Sequence, residues 1–221
     1  MSRVLNKKTI QHIYDWIGTK LDSQSFYEQS GLDEVIKHGL FDTAHAVFEF
    51  GCGTGRFAQQ LLDQYLPDDT RYTAIDISPK MIEITRSRLK PWQQKINIIE
   101  SAGSVKLDFS DNSFDRFVSS YVVDLLSHEE AIRLTDEAHR ILKEKGLICL
   151  VSITKGTTLF SKTLMGSWRL INKIHPVLTA GCRPVRLLPM LPAEKWMVKF
   201  HKVISQYGVS IEVVVASAIK K

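Results

Sequence analysis

The chain predicts an α/β fold built around a parallel sheet, and three observations carry that expectation. Short apolar runs alternate with amphipathic segments of helical period between residues 46 and 153. A glycine-rich turn, Gly51-Cys52-Gly53-Thr54-Gly55, links the first apolar run to a helical segment. A second run, Arg71 to Ile77, carries an acid near its end, Asp76, just before Ser78-Pro79. Strands that alternate with helices in this way pair in parallel through right-handed crossovers, so helices cover both faces of the sheet.

The elements follow in order. Apolar spacing predicts helices near Thr9–Leu21 and Leu32–His38, ahead of strand one at Ala46–Phe50. Helix Phe57–Leu66 leaves the glycine turn, and strand two is Arg71–Ile77. Ser78 caps helix Pro79–Leu89, with proline at its first position, where no amide N–H is needed. Strand three is Ile96–Glu100 and strand four Phe114–Ser120, the latter entered through an Asp111-Asn112 turn. Helix His128–Leu142 and strand five, Leu147–Ile153, come next. Two β-rich runs, Trp196–Ser205 and Ser210–Ala218, flank Tyr207-Gly208 and read as a terminal hairpin.

The glycine turn is the most informative segment. Glycines there permit positive φ and let a ligand lie against the backbone, and the N–H groups opening the next helix favour an anionic group. Two ligand classes use such a loop. A dinucleotide fingerprint needs its third small residue where Arg56 stands, and that long side chain obstructs the approach. Here the glycines fall as G-x-G-x-G, with Glu49 two residues ahead. Asp76 lies at the tip of the neighbouring strand, where a carboxylate accepts hydrogen bonds from ribose hydroxyls; an ordinary helix-start acid is the competing reading.

Together with Glu49, the G-x-G-x-G loop resembles motif I of the class I S-adenosylmethionine-dependent methyltransferases. Leu107 to Asp115 resembles that family's turn into the fourth strand. Glu137 to Val151 resembles its helix, turn and fifth strand, with Glu144-Lys145 where Pro-Gly is usual. The resemblance spans residues 45 to 154. It implies a Rossmann-like, doubly wound seven-stranded sheet of order 3-2-1-4-5-7-6, with strand seven antiparallel. It further implies one domain over 1–221, with an N-terminal helical cap (1–44) and an inserted lid (155–194). S-adenosyl-L-methionine is the implied cofactor. Its implied contacts are Glu49, Gly51, Cys52, Gly53, Thr54, Gly55, Asp76, Ile77, Met81, Gly103, Ser104, Val105, Ser120 and Tyr121. One departure stands out: where the family commonly places Asp or Asn against adenine, this chain has Gly103. Backbone groups, Ser104 and packing from Ile77, Met81 and Val105 are left to hold that ring, which points to weaker affinity or a shifted pose.

Composition bounds the remaining choices. With 221 residues and 44% hydrophobic content the chain suits one domain with a full core. The N-terminus lacks a signal peptide's apolar stretch and no run approaches membrane-spanning length, so a cytoplasmic location is expected. Cys52, Cys149 and Cys182 form no C-x-x-C pair, so neither a metal site nor a disulfide is expected. The net +5 conceals an asymmetry. Residues 1–150 hold 18 Lys/Arg against 22 Asp/Glu; residues 151–221 hold 11 against only Glu194 and Glu212. That basic third fits an anionic acceptor, an anionic membrane or nucleic acid, or simply a solvated lysine surface.

Between strand five and the hairpin lie some forty residues where an ordinary connection takes about 2–8. Phe160, Leu164, Trp168, Ile171 and Ile174 recur at helical spacing there, with Lys162, Arg169 and Lys173 on another face. The segment reads as a lid over the acceptor, a peripheral membrane contact, or core. Tyr14, Trp16, Phe26 and Tyr27 precede strand one. Tyr14-Asp15 resembles an element of the ubiquinone/menaquinone-type branch, with Tyr14 shielding the sulfonium or merely packing. Asp124, beyond the tip of strand four, is the candidate base or acceptor-orienting group, a surface or helix-start carboxylate being the alternative; His128 and His139 are not chosen.

The leading expectation is methyl transfer to a small or lipid-like acceptor, anionic ones included. RNA methylation and non-catalytic cofactor binding are the alternatives. The chain lacks the N-P-P-Y, Pro-Cys and double-glutamate signatures of nucleic-acid and protein-arginine methylation, and no obligate protein partner is evident.

Overall fold

The computed structural model describes residues 4–156 and 159–220; the side chains of 23–27, 159, 160, 169, 176 and 178 lie outside the description. After α1 (Lys7–Ile17), a 3-10 segment (Gly18–Gln24) and α2 (Ser25–His38), the chain alternates through β1 (Ala46–Phe50), α3 (Arg56–Gln64), β2 (Arg71–Asp76), α4 (Pro79–Arg88) and β3 (Ile96–Glu100). It continues through β4 (Phe114–Ser120), α5 (His128–Ile141), β5 (Leu142–Ile153), α6 (Leu159–Ile174), β6 (Trp196–Gln206) and β7 (Val209–Ala218).

The seven strands stand in the order β3-β2-β1-β4-β5-β7-β6. The first five are parallel, and β7 runs antiparallel to both neighbours. Because successive side chains point to opposite faces, β1 feeds two cores. Val47 packs with Leu32, Val35, Phe57, Leu61 and Met165 from α2, α3 and α6. Phe48 packs on the other side with Leu134, Ala138 and Ile141 of α5 and with Trp196. The chain leaves β1 towards β2 on one side and returns to β4 on the other. That reversal opens a crevice at the carboxyl ends of β1 and β4, where ligands of such sheets bind.

Three boundaries depart from expectation. Gly18, at φ +53°, ends α1 by donating its N–H to the Tyr14 carbonyl, and a 3-10 segment takes over. α2 begins seven residues before Leu32, with Gly31 inside the helix. A Cβ there would meet Val151 Cγ1 at 2.8 Å and the Tyr121 hydroxyl at 2.9 Å, so its absence lets the helix approach the sheet. β5 starts at Leu142 rather than Leu147, through a register shift opposite Phe114 and Arg116, with Lys145 at φ +61°. No described helix is long and apolar enough to cross a membrane.

Candidate active site

The glycine loop crosses the crevice under two backbone restraints. The N–H groups of Gly51 and Cys52 both donate to the Ile75 carbonyl, at 2.8 and 3.0 Å, fastening the end of β1 to β2. Gly51, at φ +79°, lies so close to the loop after β4 that a Cβ would fall 2.3 Å from Val122 Cγ2. Gly55 caps α3 in the left-handed conformation with no side-chain acceptor, which leaves the helix's first N–H groups free of a capping side chain.

Asp76, at the tip of β2, is held by backbone. Its Oδ2 accepts the Gly53 N–H at 2.8 Å and its Oδ1 accepts the Ser78 N–H at 2.9 Å. Burial raises its carboxyl to about 6, while the N–H groups of Ser78, Gly53 and Ile77 oppose the rise. Glu49 is buried within β1 and accepts the Tyr72 hydroxyl at 2.9 Å. Burial pushes it to about 8, against the pull of that hydrogen bond.

The N-terminal segment forms the opposite wall, fastened by three acids that sequence reasoning did not select. Asp15 accepts the Ser78 hydroxyl at 2.5 Å. Asp22 accepts Thr54 Oγ1 at 2.5 Å and Arg88 Nη2 at 2.6 Å. Glu28 lies 3.5 Å from Arg56 Nη2, and its backbone carbonyl accepts the Tyr121 hydroxyl at 2.9 Å. Burial raises the Glu28 carboxyl to about 7, with Arg56 opposing. Acids scattered through a polar stretch carry no sequence period; only the Tyr14-Asp15 pair gave a signal.

At the far end, Tyr121 turns the chain out of β4 with φ +57°, a conformation costly for a bulky residue and concentrated at functional sites. Tyr14 Oη lies 3.9 Å from Cys182 Sγ, and burial raises both groups well above their usual ranges. Behind them sits Asp124, fully buried, with neither carboxyl oxygen in a hydrogen bond. Burial pushes it up to about 7, opposed by its own N–H, the Arg183 guanidinium and the N–H of Ile153. Arg183 donates its backbone N–H to the Asp124 carbonyl at 3.2 Å, while its Nε and Nη2 are buried without partners.

These walls enclose one cavity of about 1260 Å³, its open mouth included. Of the expected cofactor contacts, Glu49, Gly51, Cys52, Gly53, Thr54, Asp76, Ile77, Gly103, Ser120 and Tyr121 line it. Gly55 stands behind the loop against Thr85. Met81 is wholly buried, Val105 packs on the α5-side core, and Ser104 is exposed, accepting the Lys106 N–H; none of the three reaches the cavity wall. Asp124 lies beneath the wall formed by Leu125, Cys182 and Ile153 rather than in it. Tyr14 lines the cavity, whereas Trp16 is 77% exposed beneath Lys20; the Phe26 and Tyr27 side chains lie outside the described residues.

Among the described residues of 155–194, Cys182 alone reaches the cavity wall. α6 faces the core through Ser161, Met165, Trp168 and Asn172; of the expected stripe only Trp168 is among these, Leu164 is half-buried, Ile171 and Ile174 are exposed and Phe160 is outside the description. Trp168 Nε1 donates to the Cys182 carbonyl at 3.0 Å, and Asn172 Nδ2 donates to Thr179 Oγ1 and the Cys182 carbonyl, so α6 holds the turn that presents Cys182.

Known proteins agree with this arrangement. A family described as "Methyltransferase domain" matches residues 47–146, from β1 to the start of β5. A malonyl-[acyl-carrier protein] O-methyltransferase of Erwinia pyrifoliae is 24% identical over 84% of this chain and 65% of its own length. A ubiquinone/menaquinone biosynthesis C-methyltransferase of Geobacter is 31% identical over 56% of this chain and 51% of its own. The chain thus spans half to two thirds of these two relatives. The N-methyltransferase NodS of Bradyrhizobium japonicum, solved with S-adenosyl-L-homocysteine, shares the fold at a TM-score of 0.65 and 16% identity, over 88% of each chain. Strand order, glycine loop and family match converge: residues 47–146 match a methyltransferase domain, as the resemblance to the class I S-adenosylmethionine-dependent methyltransferases implied.

Proposed function

We propose that this protein transfers the methyl group of S-adenosylmethionine to a small or amphiphilic acceptor held at the Tyr14–Tyr121–Cys182 end of the cavity. The observation that carries the reading is the continuity of one cavity from the glycine loop and Asp76 to apolar walls formed by Leu32, Leu125, Leu126 and Ile153.

The residues present fit the cofactor. Each oxygen of Asp76 accepts one backbone N–H and keeps capacity for a further donor, which a ribose diol supplies. The uncapped start of α3 suits a carboxylate, and Glu49 and Asp76 suit a ligand of net positive charge. Bound there, the sulfonium provides an electrophilic methyl group. The protein's share is alignment of the acceptor with that methyl and exclusion of water, worth roughly 7–11 kcal/mol of barrier when orientation is complete.

The cavity narrows the choice of acceptor. Its cations, Lys7 and Arg56, are paired with Glu130 at 3.7 Å and Glu28 at 3.5 Å, while Asp22, Glu28, Glu49 and Asp76 also line it. This lining favours a neutral or hydrogen-bond-donating acceptor over an anionic one, and it offers no phosphate-binding surface to RNA. Asp124 enters as a positioning group, acting on the acceptor through the Tyr14–Cys182 wall.

A screen of metabolite and lipid extracts with methyl-labelled cofactor tests the reading, with Asp76→Ala as the blank. Label entering a product together with S-adenosylhomocysteine supports it. Cofactor uptake without any methylated product identifies a binding protein instead, and no uptake by calorimetry removes the cofactor site itself.

A further inference from the structure

The cavity leaves one strong feature unused, the outward face of α6 and the turn that follows it. Residues 155–193 contain six Lys or Arg (Lys155, Lys162, Arg169, Lys173, Arg183 and Arg186) and no acid. The same stretch carries exposed apolar side chains. Leu170 and Ile174 are each 58% exposed, Val177 is 56% exposed and Ile171 44%.

Helical geometry arranges these groups. Met165, Trp168 and Asn172 fix the inward face of α6. At 100° per residue, Leu170 and Ile174 then fall opposite it, with Ile171 on one shoulder and Lys162 and Lys173 on the other. Among the described residues neither lysine has an acidic partner, and both are exposed. An apolar ridge flanked by uncompensated cations matches the boundary between acyl chains and anionic headgroups: the ridge sinks into the interface while the lysines meet phosphate. α6 is 16 residues long and not apolar enough to span, so it would lie along the surface. An acidic protein partner would satisfy the lysines but gives no reason for four large aliphatic side chains on a ridge and turn. A second copy would oppose cations to cations.

We propose that this face docks the protein on an anionic lipid surface. The contact also bears on the cavity, since the same helix carries the Trp168 and Asn172 bonds that position Cys182 in its wall. Docking requires no cofactor, so it stands or falls separately from methyl transfer.

The test is flotation of the full chain with vesicles of phosphatidylcholine alone and of phosphatidylcholine mixed with phosphatidylglycerol, at low and high salt. Binding is expected only to the anionic vesicles and weakened by salt. Leu170→Asp with Ile174→Asp, and separately Lys162→Glu with Lys173→Glu, should each lower the bound fraction roughly tenfold or more, with unchanged thermal melting because all four positions are exposed. Three results overturn the proposal: no vesicle binding by the unaltered chain, binding that only the lysine variants reduce, or an apolar variant that dissociates a dimer in sedimentation while vesicle binding persists.

Discussion

The two ends of the cavity hold buried carboxyl groups in opposite states. At the cofactor end, Asp76 is met by backbone N–H groups of the loop and helix that flank it, and Glu49 by a tyrosine hydroxyl. Behind the proposed acceptor end, Asp124 is as deeply buried and neither of its oxygens makes a hydrogen bond. Burial alone is not the distinction, because Glu212 of β7 is also buried yet saturated, accepting Thr154 Oγ1, His201 Nε2 and the N–H groups of Leu187 and Leu188. A buried acid furnished with donors is a fixed acceptor of hydrogen bonds. One left bare retains capacity for a ligand or a proton.

The sharpest way to break this comparison is Asp76→Ala. Two charge-assisted hydrogen bonds to ribose, at about 1.5–3 kcal/mol each, make a loss of at least roughly a hundredfold in cofactor affinity the expected result. Calorimetry measures it, and an affinity within a few-fold of the unaltered protein would separate Asp76 from the ligand. Next in size is Gly51→Ala. Its Cβ would press into Val122 from a left-handed backbone, for a destabilisation of about 1–3 kcal/mol seen in thermal melts.

Proton linkage distinguishes the two ends directly. Asp76, Glu28, Asp124 and Glu49 have raised carboxyls, at about 6, 7, 7 and 8, so the folded state keeps protons that the unfolded chain releases nearer 4. Stability of the ligand-free protein is therefore greatest towards the acid side of this range and falls as pH rises from 5 to 8. Cofactor affinity should move the other way, tightening over the same range as a cationic ligand displaces protons; calorimetry in buffers of different ionisation enthalpy reads the release. Asp124→Asn should flatten the upper part of the stability profile and leave cofactor affinity within about twofold, while lowering turnover of an identified acceptor about tenfold or more. A cofactor-affinity loss as large as that of Asp76→Ala would abolish the difference between the ends. Smallest is Tyr14→Phe, since a 3.9 Å contact with sulfur contributes little; acceptor KM should change by less than about threefold.

The sequence by itself determined what depends on neighbours in the chain. β1, β3 and β4 follow their apolar runs residue for residue, and Ser78 caps α4 as its position before Pro79 requires, accepting the Met81 N–H at 3.1 Å. The positions of the glycine loop and of Asp76 were legible for the same reason: each sits where a strand passes through a short turn towards a helix start. Only the tertiary structure decided the end of the cavity proposed for the acceptor, where Tyr14, Glu28, Asp124 and Cys182 come from four separate segments with no shared period. It also decided which face of α6 turns inward. Met165 and Trp168 fit the core while Asn172 satisfies the 179–182 turn, and that choice depends on groups the helix's own sequence does not contain. Local pattern fixes an element and its turn chemistry; which groups meet across a cavity is set by packing between segments far apart in the chain.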